Sequence, residues 1–320
     1  MQFDTERIRK HPALLVGSTG QTGVHNFVFM LVEEFIHGAD KTSVFMDITI
    51  NDDSSLIFIC DRLIDTDTNN ILAAIRALSD VFELSLAGED HSSVRVLFRP
   101  DKGVFSYVGI DYYKLYNRFK ELSQLNENVR FLLKDNVNRN LIQYQNGLNE
   151  ILYENMSYPD LQNINPTNIS FSEDNVEVSL SMVLGYPADA TISYINNSKI
   201  YGGGSHIEGF YDGVYYAFKK YIKRFGDEIC KVSKKEMIND LNFVISIKAK
   251  NPSYEGSWKR VLSDDRVRLA VRNGIVKNLE KLLESDQHIF NSSSAVRMAA
   301  FMYTVKSSWK KDHLDINWDD

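Results

Sequence analysis

Side chains able to move a proton, hold an anion or bind a metal gather in a few short stretches of this chain. The first, residues 21–39, sets His25, Asn26, Glu33, Glu34 and His37 among apolar residues. The second brings a thiol, two carboxylates and a guanidinium together as Cys60, Asp61, Arg62 and Asp65. The third is Gly202-Gly203-Gly204-Ser205-His206. Such a turn can hold an anion on backbone N–H groups or simply start a helix; the helix start is expected, because a glycine cluster alone is weak evidence. The fourth is Lys219, Lys220, Lys223 and Arg224, with Lys231, interleaved with Tyr215, Tyr216 and Tyr221. A basic, aromatic helix face of this kind suits DNA or a protein partner; the plainer expectation is a solvated face with half-buried tyrosines. Lys259 stands on a polar loop, where a lysine is solvated by default.

Other chemistries find little support. No histidine pairs with carboxylates at metal-ligand spacing, and His313 lies beside Asp312 and Asp315 in a charged tail, so no metal site is expected. No Ser/His/Asp or Cys/His nucleophile pattern is recognisable. Cys60 and Cys230 are too few and too far apart for a disulfide framework, which leaves reduced, buried thiols. The net charge of -7 argues against a protein whose whole surface grips nucleic acid, while allowing a local basic patch. No apolar run reaches membrane-spanning length and MQFDTERIRK lacks a secretory core, so a cytoplasmic protein without membrane contact is expected. Trp309, Trp318 and Tyr303 either bind a partner or close a core.

These side chains need elements to carry them. Val24, Phe27, Val28, Leu31, Val32, Phe35 and Ile36 recur at helical spacing after the turn-rich VGSTGQTG, which predicts a loop and then a buried amphipathic helix. Residues 41–50 alternate as a strand, 51–55 form a turn and 56–60 a second strand, together an antiparallel hairpin. After a linker containing Pro159 and Pro166, strands are expected at 176–184, 189–197 and 241–250, and helices at 267–283 and 295–311. With 320 residues, 43% of them hydrophobic, the chain can bury two cores.

Four blocks, VGSTGQTGVHN, RFKELSQLNENVRFLLKD, ISYINN with GGGSHIEGF, and VISIKAKNPSYEGSWK, stand in one order along the chain. Together they resemble the ATPase region of type IIA DNA topoisomerases, the DNA gyrase B and topoisomerase IV family, from Ile8 to about Asp286. The resemblance implies an α/β fold of α+β sandwich type, with a helix over 71–82, a strand over 82–86, and a helix and then a strand over 111–135. A GHKL/Bergerat-like ATPase domain is expected over residues 1–153 and a ribosomal-protein-S5-like transducer domain over 154–320.

Matched residue by residue, the resemblance keeps the frame and loses the chemistry. His25 keeps the family's first histidine, Asn26 replaces the second, Met30 replaces the glutamate base and Glu34 the magnesium-binding Asn. Cys60 stands where the family's adenine-binding Asp is expected, and Arg62 and Ile64 where its pattern wants bare glycine backbone. The long glycine-rich lid is missing, since residues 65–70 lead straight into the next helix, and Asp65 and Asp67 would repel a phosphate there. Strands between residues 86 and 94 are missing as well. Lys259 keeps the lysine of the family's Gln-Thr-Lys loop, with Ser257 and Trp258 in place of its companions. Met1 to Arg7 is too short for the arm that embraces the second protomer, so a nucleotide-gated clamp is not expected.

These departures imply a catalytically degenerate pseudo-ATPase: a binding, scaffold or regulatory module for a topoisomerase subunit, DNA or another protein, with no cofactor. The alternative is an ATP-binding component of a type IIA topoisomerase-like complex with an altered pocket, taking ATP and magnesium. Self-association is left open.

Overall fold

A computed structural model describes residues 5–37, 42–66, 68–88, 91–157, 165–184, 188–223, 234–239, 241–256 and 260–284. The chain divides into two compact units, Met1–Gly147 and Leu148–Asp320, so the division falls at 147/148 where the sequence suggested 153/154.

The first unit runs α1 (Thr5–Lys10), α2 (Ala13–Val16), α3 (Gln21–Ile36), β1 (Val44–Ile50), β2 (Leu56–Cys60), α4 (Asn70–Ala77), β3 (Ser79–Ala87), β4 (Ser93–Pro100), α5 (Tyr112–Leu125), β5 (Val129–Lys134) and β6 (Arg139–Ile142). Among the described residues its strands form one sheet in the order β3-β4-β2-β1-β5-β6. Of these neighbours, only β1 and β5 pair in parallel. Alternation decides which face is covered. Val44, Met46, Ile48 and Ile50 are buried while Phe45, Asp47 and Thr49 on the opposite face are not, and β2, β4 and β5 repeat the pattern.

The covered face shares one core with the apolar stripes of α3, α4 and α5. All seven apolar positions read from the sequence on α3 are buried. Phe27 meets Phe98 edge-on at 5.2 Å, Phe35 lies 4.8 Å from Phe58, and Phe119 stacks on Phe131 at 4.7 Å. The hairpin turn is held by Asn51 and Ser55 backbone pairing, with Asp53 accepting from the Ser55 N–H and hydroxyl.

The helix expected over 71–82 stops at Ala77. The strand expected over 82–86 is present and starts earlier, at Ser79; it pairs with β4, and Phe82, Leu84 and Leu86 face Phe98, Val96 and Val94. Pairing across the sheet overrides local helical spacing here.

The second unit runs α6 (Gly147–Asn155), β7 (Thr167–Glu173), β8 (Val176–Leu184), β9 (Thr191–Ile195), β10 (Ser198–Lys199), α7 (Ser205–Lys223), α8 (Lys234–Asn239), β11 (Leu241–Ala249) and α9 (Asp265–Glu284). Its sheet has the order β10-β9-β11-β8-β7, with β9 and β11 parallel. A second core joins this sheet to α7 and α9. The expected helix over 295–311 lies outside the described residues, as do Cys230, Tyr303, Trp309, His313 and Trp318.

Close approach of α7 to α9 depends on missing side chains. A Cβ on Gly209 would stand 2.4 Å from the Arg268 carbonyl oxygen, and one on Gly213 2.8 Å from Ile275 Cβ. We predict that Gly209→Ala destabilises the protein by about 1–3 kcal/mol through overpacking against backbone that cannot step aside. Urea unfolding measures it; an unchanged or raised midpoint would contradict the close packing.

Candidate functional site

The opening helix α3 carries four positions that the sequence marked for nucleotide chemistry, and each of their side chains has a place in the fold. His25 is buried; its Nδ1 donates to the Gln21 carbonyl at 2.7 Å and its Nε2 accepts the Asp111 backbone N–H at 2.9 Å. A carbonyl only accepts and an N–H only donates, so this arrangement requires the neutral imidazole. Burial pushes its pKa below the ordinary 6.5, with Lys114 adding to the effect and the Gln21 carbonyl and Asp111 opposing it. Because Asp111 caps α5, accepting from the N–H groups of Tyr113 and Lys114, His25 ties α3 to the start of α5. Asn26 donates to the Val16 carbonyl at 3.0 Å, holding the last turn of α2.

Met30 is partly buried and packs against the core of the first unit. A thioether has no proton affinity useful for activating water. The neighbouring carboxylates are engaged elsewhere. Glu33 pairs with Arg118 at 2.6 Å, and Arg118 also meets Glu121. Glu34 accepts from the Asn69 amide at 2.7 Å.

Asn69 is the N-cap of α4: its Oδ1 accepts the Leu72 N–H at 2.9 Å while its amide reaches Glu34. One side chain therefore closes a helix start and fastens it to α3. Arg62 donates to the carbonyls of Phe35 and His37, at 2.8 Å each, satisfying the otherwise orphan acceptors at the end of α3. Cys60 is fully buried and its thiol is pushed up to about 12, chiefly by burial, so it is inert as a nucleophile. Asp61 accepts the Phe45 N–H at 2.7 Å, and Ile64 packs on the core. The structure thus brings Glu34, Arg62 and Asn69 together around the end of α3 and the start of α4. Asn69 and Arg118 were not singled out by sequence; Asn69 carried a signal, the Asn placed just before an apolar-periodic run.

In the second unit, the GGGSH turn is a structural start of α7. Gly203 and Gly204 have φ of 67° and 122°, the Ser205 N–H donates to the Leu262 carbonyl, and the Ser205 hydroxyl bridges to the backbone of Asp264. His206 is buried without a hydrogen-bond partner among the described residues, and burial holds its pKa down at about 4.

Lys219 and Lys220 are exposed; Lys219 lies over the Tyr215 ring, 5.6 Å from its centroid, and Lys220 pairs with Glu280 at 2.6 Å. A groove of about 600 Å³ along α7 and α9 is lined by Tyr216, Lys220, Arg272, Lys277, Glu280 and Lys281. The α9 cations extend the basic face, and their helical spacing was the signal for them. The side chain of Lys223 and the whole of Arg224, Lys231 and Lys259 lie outside the described residues. Among the described residues no cluster of His, Cys, Asp and Glu is arranged to hold a metal, and no helix is long and apolar enough to cross a membrane.

A mixed sheet under α3, α4 and α5, followed by a sheet-rich unit, defines a GHKL-like ATPase domain with a transducer-like domain behind it. The model of the DNA gyrase B family matches residues 125–301, and the chain belongs to that family. The DNA gyrase B protein of Clostridium acetobutylicum is 23% identical over 89% of the chain, and that of Staphylococcus epidermidis 29% identical over 63%. The chain spans 55% of the length of the first and 33% of the second. Among solved structures, the 43K ATPase domain of Thermus thermophilus gyrase B, in complex with an aminocoumarin, shares the fold. Its TM-score is 0.77 at 19% identity, covering 94% of this chain and 95% of that one.

The clasp made by His25 has a pH signature. A folded-state pKa below the unfolded value makes its contribution to stability fully present above pH 6.5 and lost as pH falls through the lowered folded value. His25→Phe is expected to cost about 1–3 kcal/mol at neutral pH by leaving the Asp111 N–H without its acceptor. In urea unfolding the gap between wild type and variant should narrow at acid pH; a constant gap would contradict the clasp.

Proposed function

We propose that the chain is an ATPase-fold component of a type IIA topoisomerase-like complex whose nucleotide pocket is altered, so that the first unit acts by binding and not by splitting ATP. Family membership supports the setting, and the relatives, named as a subunit of DNA gyrase, support the complex. The observation that carries the loss of hydrolysis is the helix α3 itself. Position 30 offers a thioether, and the carboxylates beside it, Glu33 and Glu34, are already committed to Arg118 and Asn69. A general base must be able to reach and accept a proton from water, and none of the three positions does.

The same contacts favour a second reading, a pseudo-ATPase that takes no nucleotide and serves as a scaffold or regulatory module. Glu34 places a carboxylate at the start of α4, where a phosphate would otherwise find helix N–H groups, and Arg62 fills the turn that bare backbone would leave open. Under either reading the groove along α7 and α9, lined by Lys220, Arg272, Lys277 and Lys281, is the surface offered to DNA or an acidic protein partner.

Titrating the full chain with ATP and magnesium by calorimetry separates the two. Saturable heat with a rise in melting temperature supports the altered pocket, whereas silence together with specific capture of a topoisomerase subunit supports the scaffold. Met30→Glu is expected to leave ATP turnover at background, because Glu34 and Arg62 remain as they are. Turnover by the wild-type chain, abolished by Glu33→Gln, would overturn both readings.

A further inference from the structure

β3 ends the first sheet, and among the described residues no strand lies against its outer edge. An open edge presents a row of backbone donors and acceptors that only another extended chain can satisfy in full, and proteins usually blunt it with lysine, proline or short length. β3 has no lysine or proline and is 9 residues long, SDVFELSLA; its pairing with β4 is irregular only between Ser79 and Val81, which leaves residues 81–87 as a regular edge. Its two carboxylates face inward along the sheet, Asp80 to Arg99 and Glu83 to Arg95, both on β4. The other edges are guarded. β6 has 4 residues and begins with Arg139, β10 has 2, and β7 exposes Asn168, Ser170 and Ser172.

The side chains of β3 are covered on one side only, Phe82 and Leu84 packing on the core and Arg76 lying over the Phe82 ring. Phe82, Leu84 and Leu86 continue the buried row of Phe98, Val96 and Val94, yet no residue of β3 is itself buried and Leu86 is 51% exposed. β3 pairs with β4 as its immediate successor, and among the described residues no strand covers its far side.

We infer that two copies of the chain pair antiparallel along β3, giving one sheet continuous through a two-fold axis. The strand is complementary to itself about Leu84. In that register Phe82 falls opposite the second copy's Leu86, Leu84 opposite its own counterpart, and Glu83 opposite Ser85, so the apolar row runs unbroken across the junction and Leu86 is covered. An axis at Glu83 would instead oppose two carboxylates. This pairing is independent of any nucleotide and of the basic groove.

Sedimentation of the full chain over a concentration series tests it. A reversible dimer is expected, with Leu86→Lys weakening it at least about tenfold by placing a charge on the edge, at an unchanged melting temperature. Leu141→Lys, at the opposite edge and 65% exposed, should leave the dimer intact. Should Leu86→Lys lower the melting temperature, Ser85→Lys gives the same readout from the other face. In a Cys230→Ser background, mixed Glu83→Cys and Ser85→Cys chains should link on mild oxidation, and Glu83→Cys chains alone far less. A chain that stays monomeric throughout, or a dimer indifferent to both lysine variants, overturns the inference.

Discussion

Everything in the first unit depends on the burial of one stripe of α3. Val24, Phe27, Val28, Leu31, Val32 and Phe35 lose essentially all contact with water against the sheet, each worth roughly 1.5–3 kcal/mol when fully buried. That packing admits one rotation of the helix and one depth, because core side chains interdigitate at close to crystal density. The positions between the apolar residues are then fixed as well. Residues 26, 30, 33 and 34 stand where they do because their neighbours are anchored.

The polar side chains at and beside those positions are joined to the rest of the unit. Asn26 holds α2, His25 holds the start of α5, Glu33 holds Arg118 and Glu34 holds the cap of α4. Arg62 adds two bonds to the end of the same helix. Each such bond contributes on the order of 1 kcal/mol net, and breaking one from a single side leaves a stranded partner that costs more. A framework laced in this way gains rigidity.

The second unit obtains its closeness differently, by omission of side chains. Gly209 and Gly213 let α7 lie against the backbone of α9, and Gly274 accepts the ring of Phe171 from β7. The two cation-bearing helices are thereby drawn side by side, and residues far apart in sequence, Lys220 and Arg272, line one groove.

The family, the α3 stripe, the β1–β2 hairpin and β8 were all legible in the order of residues, because periodicity and residue type are local properties. That the helix stops at Ala77 and the strand expected over 82–86 begins already at Ser79 became visible in three dimensions alone, since the partner strand that claims these residues comes later in the chain. The same holds for the service of Asn69 to Glu34, of Arg118 to Glu33 and of Asp111 to His25, pairs separated by 35 to 86 residues. Hydrogen bonds over such distances leave no trace in local spacing; they exist because the buried stripes bring three helices onto one face of the sheet and set their polar neighbours within reach.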